Sequence, residues 1–467
     1  MKKTEKRELF ETAPIPKALS IMAIPTIISQ LINLIYNMVD AFFIGRTGNS
    51  YMMAATTVAL TLTMMNVAFS NLFGIGGGSL VSRLMGRHDD EAAKAVSSFS
   101  IFGCISIAVL YSVLVGSFRE PILRFLGASD NTIGFASDYS FFVIILGTLP
   151  TILSLTLAHL LRNSGRSAEA SAGLCLGGVL NMALDPLFMF VILEKGNEVT
   201  GAAIATLISN CVGCCYLLIV YIKSSASSPL SLSPKTAAKI SRENVRNVFV
   251  VGVPSAVLTG LFDVASICVN KIASSHNDLV LAAMGIVMKA ERIPNAINIG
   301  LCQGMLPIVA YNYASGNRER MKRTIRTART CGLIVSAASI ALLEIFARPV
   351  TGFFLSTSNA SGETAAVTVT LAALYLRIRC LASPVQFINY HTSFCLQAMG
   401  KGKETMAHAV VREIVFYIPL MYILDRFFGD VGLASALPCG EACGAVFALV
   451  LFVITLKRIS KDKDTRY

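Results

Sequence analysis

Long apolar runs follow one another along the chain, separated by short polar stretches. The first, from Ala18 to Ile44, reads ALSIMAIPTIISQLINLIYNMVDAFFI and holds one carboxylate and no Lys or Arg. At about 1.5 Å of rise per residue, a helix of this length crosses the roughly 30 Å hydrocarbon core of a bilayer. Runs of the same kind recur to the end. They predict twelve spans, at 18–44, 51–77, 95–117, 136–161, 169–193, 200–222, 246–270, 279–306, 329–347, 364–391, 405–424 and 431–456. The expected fold is an all-α polytopic membrane protein, because a helix satisfies its own backbone where no water can.

Composition supports this reading. The chain is 54% hydrophobic and 15% charged, against about 25% charged in an average soluble protein. The net charge of +12 would suggest a nucleic-acid partner in a soluble chain. Here the basic residues fall in the short loops. With the N-terminus inside, 29 Lys and Arg lie on the inner side, 7 on the outer side and 4 within spans. That bias places both termini in the cytoplasm. No nucleic acid or nucleotide is expected: GIGGGS at Gly74 to Ser79 lacks the Gly-Lys-Ser/Thr that completes a phosphate loop. The 12 cysteines, mostly in apolar segments, read as small buried side chains rather than zinc ligands.

The two halves echo each other. Pro25 and Pro254 are 229 residues apart, Gly86 and Gly316 are 230, Gly165 and Gly400 are 235, and Gly201 and Gly432 are 231. Six spans plus six spans keep such repeats parallel, related by a pseudo-two-fold axis near the membrane normal. The expected organisation is a six-helix lobe over 1–222, a cytoplasmic linker over 223–245, a second six-helix lobe over 246–456 and a basic cytoplasmic tail over 457–467. Within the linker, the stretch from Pro234 to Val245 suits an amphipathic surface helix.

Polar side chains inside the spans carry the candidate chemistry. Tyr36 and Asp40 are four apart and share a helix face, with Asn33 and Asn37 on or beside it. A carboxylate in a span faces a protein interior or a wet cavity, or else sits near headgroup water at the helix end. Asn181 and Asp185 repeat the four-residue spacing in span five, where Pro186 removes a backbone donor. Thr206 in span six faces the site or bonds its own helix. Asp40 and Asp185, if adjacent, exchange a proton, or hold Na⁺ with Asn181 and Thr206. The second half does not copy this. It carries Asp263 in span seven, Lys289, Glu291 and Arg292 in span eight, Arg377 and Arg379 in span ten and Glu441 in span twelve. Buried charges pair, so Asp263, Glu291 and Glu441 are expected partners of these basic residues, which otherwise line a substrate path or snorkel to a boundary.

YNMVDAFFIG, SRLMGRHDDEAAK, LRNSGR, NMALDP, PIVAYNYASGNRERMKR and LQAMGKG give the chain a resemblance over essentially all twelve spans. It resembles the multidrug and toxic compound extrusion family, within the multidrug, oligosaccharidyl-lipid and polysaccharide exporter superfamily, and its bacterial drug-efflux branch in particular. The resemblance implies two six-helix lobes around a cleft open alternately to either side of the bacterial cytoplasmic (inner) membrane. It implies an antiporter with no covalent chemistry and no cofactor, working as a monomer. Such a protein exports amphiphilic, often cationic small molecules against H⁺ or Na⁺. Its first-lobe ion site carries over onto Tyr36, Asp40, Asn181, Asp185 and Thr206. An acidic span-seven residue fits Asp263, whereas basic Arg377 and Arg379 stand in the span where some relatives have an acid. A lipid or lipid-linked oligosaccharide flippase of the same superfamily is the alternative, motivated by Lys289, Arg292, Arg377 and Arg379.

Overall fold

A computed structural model describes residues 3–356 and 363–464; Lys2 and Arg466 of the terminal basic clusters lie outside them. The chain begins with a short helix α1 (Lys3–Glu11), followed by α2 (Ile15–Arg46), α3 (Ser50–Gly86), α4 (Asp90–Ser117), α5 (Arg119–Phe125) and α6 (Ile133–Ser140). A π-helical turn, Phe141–Leu146, leads to α7 (Thr148–Asn163), and α8 (Ser167–Leu187) runs into another, Phe188–Ile192. The first half ends with α9 (Glu198–Ser225), and one turn, α10 (Pro234–Ala237), lies in the connection. The second half comprises α11 (Arg242–His276), α12 (Asp278–Ala314), α13 (Arg318–Ile345), α14 (Ala347–Ser356), α15 (Glu363–Cys380), α16 (Ser383–Ala398) and α17 (Gly402–Val410). A third π-helical turn, Val411–Tyr417, and α18 (Ile418–Asp464) complete it.

Among the described residues nine helices are long and apolar enough to cross a membrane, and eleven when each of two bent pairs counts as one span. The bent pairs are Ile133–Leu146 with Thr148–Asn163, at 46°, and Ala365–Cys380 with Ser383–Ala398, at 49°. The 58-residue stretch Gly402–Ile459 would be about 87 Å long as a straight helix. It turns instead at Gly429, whose φ of 60° lies in the left-handed region. The chain then packs back on itself, so that a Cβ at Gly440 would meet Tyr417.

Side-chain caps start many of these helices. Asn49, Asp89, Ser241, Asn277 and Asn317 each accept a bond from a backbone N–H of the first turn. The cap at Ser241 explains one departure from the sequence reading. It starts α11 at Arg242, so the expected surface helix over Pro234 to Val245 is reduced to the single turn α10. A second departure concerns the repeat. Gly165 and Gly400 both adopt left-handed backbone, but the partner of left-handed Gly316 is His88 (φ 59°), two residues beyond Gly86. Gly86 is helical, and its Cβ would lie 2.3 Å from the Tyr311 carbonyl oxygen.

The halves meet through α3 on α11 and α2 on α12. These crossings are backbone to backbone, as small residues permit. A Cβ at Gly252 would lie 2.0 Å from the Leu72 carbonyl oxygen, and one at Gly304 would lie 2.5 Å from Ala23 Cα. Cross-half hydrogen bonds among the described residues run from the end carrying α1 to Gln30–Gln303 (3.1 Å) and Asn71–Thr259 (3.0 Å), and no farther. Arg162, which the sequence places in an inner loop, is buried at this crossing and donates to Gln303 at 3.2 Å.

Candidate functional site

The first-half site is assembled from α2, α8, α9 and α6. α2 is a single helix of 32 residues, and Pro25 within it leaves Tyr36 and Asp40 one turn apart on the same face. α8 lies against this face. Gly178 makes the approach possible, since a Cβ there would sit 3.2 Å from the Tyr36 ring. One turn farther along, α8 presents Asn181 and then Asp185, both buried. The α-helix continues through Pro186 to Leu187, and the geometry changes only in the π-helical turn that follows.

The Asn181 amide is the hub. Its Nδ2 donates to Asp185 Oδ1 at 3.1 Å and to Thr206 Oγ1 on α9 at 3.2 Å. Thr206 thus accepts from the site. Asp40 lies within electrostatic range of Asp185. Both also act on Tyr139 of α6, a buried residue that the sequence reading missed. A single Tyr at the start of an apolar span has no companion at helical spacing to mark it. Asn33 and Asn37 are both exposed; Asn37 donates to the carbonyl of Asn33 and lies beside Tyr36.

Three oxygens in this group have no donor. Asp40 Oδ1, Asn181 Oδ1 and Asp185 Oδ2 are buried without a hydrogen-bond partner. Buried acceptors are ordinarily satisfied. Two carboxylates and an amide oxygen, all hard oxygen acceptors, are thus left open in this group. All three open atoms are oxygens, whereas the softer transition-metal centres favour thiolate and imidazole donors.

The second half distributes its charges differently from the sequence expectation. Arg379 and Glu291 pair as expected, Nε to Oε1 at 2.7 Å and Nη2 to Oε2 at 3.0 Å. Arg377 instead meets Glu344 at 3.5 Å on an exposed face. Glu441 pairs with none of the anticipated bases. Its partner is Arg412, counted among the inner-side charges although it falls within the predicted span 405–424, and buried by the structure in the π-helical turn Val411–Tyr417. Lys289 and Arg292 are exposed on α12, and Asp263 on α11 lies within electrostatic range of Arg292.

The comparisons with known proteins extend over nearly the whole chain. It is 28% identical over 461 residues to the multidrug export protein MepA of Staphylococcus saprophyticus, covering 99% of this chain and 98% of that protein. It is 29% identical to MepA of Staphylococcus haemolyticus over the same shares. Among solved structures, MATE in complex with MaL6 superposes with a TM-score of 0.91 at 20% identity, covering 97% of this chain and 99% of that one. An outward-facing multidrug resistance MATE family transporter of the MOP superfamily does so with a TM-score of 0.89 at 20% identity, covering 97% and 98%. The fold of the described helices is therefore that of these transporters. The MatE family model matches residues 25–187 and 254–423, well over half of the sequence, and the chain belongs to the MatE family.

Proposed function

We propose that this protein is a cation-coupled multidrug antiporter, exporting amphiphilic and often cationic compounds by alternating access in exchange for H⁺ or Na⁺. The observation that carries the reading is the trio of open, buried oxygens on Asp40, Asn181 and Asp185. A site with unmet acceptors on two acids binds a cation in one state and must be emptied in another for transport to proceed. Coupling requires that ion and drug favour opposite states of the cleft. The name of the staphylococcal relatives supports the substrate class.

In this reading the turn at Gly429 divides Gly402–Ile459 into two spans and brings the total to twelve. They form two six-helix lobes, 1–222 and 246–456, joined by the 223–245 linker and related by a pseudo-two-fold axis near the membrane normal. The chain works as a monomer in the bacterial cytoplasmic membrane, with both termini and the basic tail at 457–467 in the cytoplasm. The end sealed by α1 is then cytoplasmic, and the cleft is open outward.

The flippase reading loses two of its four cations, because Arg379 is gripped by Glu291 and Arg377 pairs with Glu344. Lys289 and Arg292 remain, and Asp263 in range of Arg292 gives that face mixed charge rather than the cationic cradle a pyrophosphate needs. The test is export of a cationic dye from proteoliposomes under an imposed H⁺ or Na⁺ gradient. Asp40→Asn and Asp185→Asn keep volume and remove charge, so each should reach the membrane normally and lose most gradient-driven export. Full export by both variants refutes the site. Dependence on Na⁺ or on the proton gradient identifies the ion.

A further inference from the structure

The second half holds a buried charge cluster that the antiport reading leaves unused. Arg412 grips Glu441 of α18 with two bonds, Nε to Oε2 at 2.9 Å and Nη2 to Oε1 at 2.5 Å. The same guanidinium lies 3.6 Å from Glu413, its neighbour in the π-helical turn Val411–Tyr417. None of the three side chains is more than 3% exposed. From α16, Asn389 donates to Glu441 Oε2 at 2.6 Å, and its Oδ1 lies 3.1 Å from His408 Nε2 of α17. Ser393 Oγ lies 2.8 Å from His408 Nδ1, and the Tyr390 ring lies 4.9 Å from the guanidinium. Glu413 Oε2 is buried and has no hydrogen-bond partner.

Two carboxyl groups thus share one guanidinium, and Glu441 takes both of its short bonds. Among the described residues, the charged groups within electrostatic range of Glu413 are Arg412 and Glu441. Tyr417 of the same turn and Tyr390 of α16 also face the cluster, and His408 reaches it through Asn389. α11 packs on this turn as well and brings no charge into that range. With both acids ionised, the cluster would hold an excess negative charge inside a membrane-embedded bundle, which isolated carboxylates do not sustain. A proton on Oε2 removes that charge at the atom that has no partner. We propose that Glu413 is a proton-binding site of the second half, separate from the Asp40–Asp185 group.

The arrangement also shows what release of that proton does. An ionised Glu413 competes with Glu441 for Arg412. Its turn carries Tyr417, which lies beside Arg379, and Arg379 holds Glu291 on the helix that displays Lys289 and Arg292. A change at Glu413 therefore has a contiguous route to the exposed face that carries Lys289 and Arg292. The part this plays in a transport cycle rests on the antiport reading; the proton site does not.

The test uses the full chain in lipid and the proton as ligand. Infrared difference spectra between acidic and alkaline buffer report the carbonyl stretch of protonated carboxyls. The wild type should show such a band at neutral pH that Glu413→Gln removes and that Asp40→Asn and Asp185→Asn leave in place. Glu441→Gln is the second variant. With Glu441 neutral, Glu413 takes the guanidinium in ionised form, and the band disappears although Glu413 is still present. Loss in Glu413→Gln alone upholds the site and refutes the competition for Arg412. Loss in both variants upholds both, and Glu413→Asp, which keeps a carboxyl and should shift the frequency of the band, reads the site where Glu413→Gln does not fold. A band unchanged in both variants, or one that disappears with Asp40→Asn or Asp185→Asn, overturns the proposal. Failure of the antiport reading registers separately, as no gradient-driven export by the wild type with the Glu413 band intact.

Discussion

At the scale of single residues, two arginines only two positions apart in sequence give opposite expectations. Arg379 is 4% exposed and holds Glu291 through both oxygens, whereas Arg377 is half exposed and stands 3.5 Å from Glu344. Removing one partner of a buried pair strands the other, at about 3–5 kcal/mol. Exposed pairs contribute about 0–1 kcal/mol. Thermal or denaturant unfolding in detergent should therefore find Arg379→Ala severely destabilised and Arg377→Ala close to wild type; equal losses would contradict the assigned burial. The same contrast explains what was legible in sequence. Tyr36 with Asp40, and Asn181 with Asp185, were readable because helical periodicity alone puts residues four apart on one face, and the structure joins Asn181, Asp185 and Thr206 by hydrogen bonds. Tyr139 and the Arg412–Glu441 pair were not readable, because each depends on which helices lie side by side. Periodicity within one helix says nothing of that. Arg412 was counted with Lys401 and Lys403 as an inner-side charge although it stands inside the predicted span 405–424.

At the scale of elements, the helices were legible and their interruptions were not. Apolar length predicts a span, but it does not place the 46° and 49° bends or the three π-helical turns. The connection between the halves shows the same limit. Its Ser, Pro and Lys content reads as an exposed linker, yet Leu230 is buried and Ser228 accepts a bond from Arg166. A topology probe therefore belongs at Ala238, which is exposed, in a chain whose exposed cysteines have been changed to Ser. Ala238→Cys should react with an impermeant thiol reagent only from the cytoplasmic side; reaction from outside intact cells would reverse the orientation. The crossing of α3 and α11 gives a second prediction. A Cβ at Gly252 meets the backbone of Leu72, which cannot rotate away, while one at Gly260 on the same helix meets nothing within 4 Å. Gly252→Val should spread the α1-bearing end, lengthening the distance between spin labels at Glu91→Cys and Arg323→Cys. Gly260→Val should leave that distance alone. Identical distances in both variants would show that the crossing does not hold the end shut.

At the scale of the whole molecule, α1 acts as a strap across the joint between the halves. Arg7 pairs with Asp90 of the first half at 3.1 Å. On the other side Glu11 bonds the Tyr311 hydroxyl, Phe10 stacks on the Tyr311 ring with centroids 5.3 Å apart, and Asn312 donates to the Phe10 carbonyl at 3.1 Å. Arg320 of α13 completes the attachment, reaching the carbonyls of Phe10 at 2.7 Å and Ala13 at 2.6 Å. The sequence shows a charged segment before the first span and nothing of this, because most of the contacts are made 300 residues or more away in the chain. Any motion that separates the halves at this end has to release one side of the strap. Charge-assisted bonds to backbone carbonyls contribute about 1.5–3 kcal/mol each where they are shielded, so the strap favours the state closed at this end. Arg320→Ala removes the cation while leaving the apolar contact of Phe10 with Tyr311. A loss of about 1–3 kcal/mol of that bias corresponds to a shift of roughly 5–150-fold in the ratio of the two states. Protease accessibility at the α1–α2 connection and reactivity of cysteines placed along the sealed crossing should both rise in Arg320→Ala. Asp90→Asn, which keeps the side chain's volume and weakens only the partly exposed pair with Arg7, should raise them less. If Arg320→Ala leaves both readouts at wild-type level, α1 rests on the two halves without holding them together.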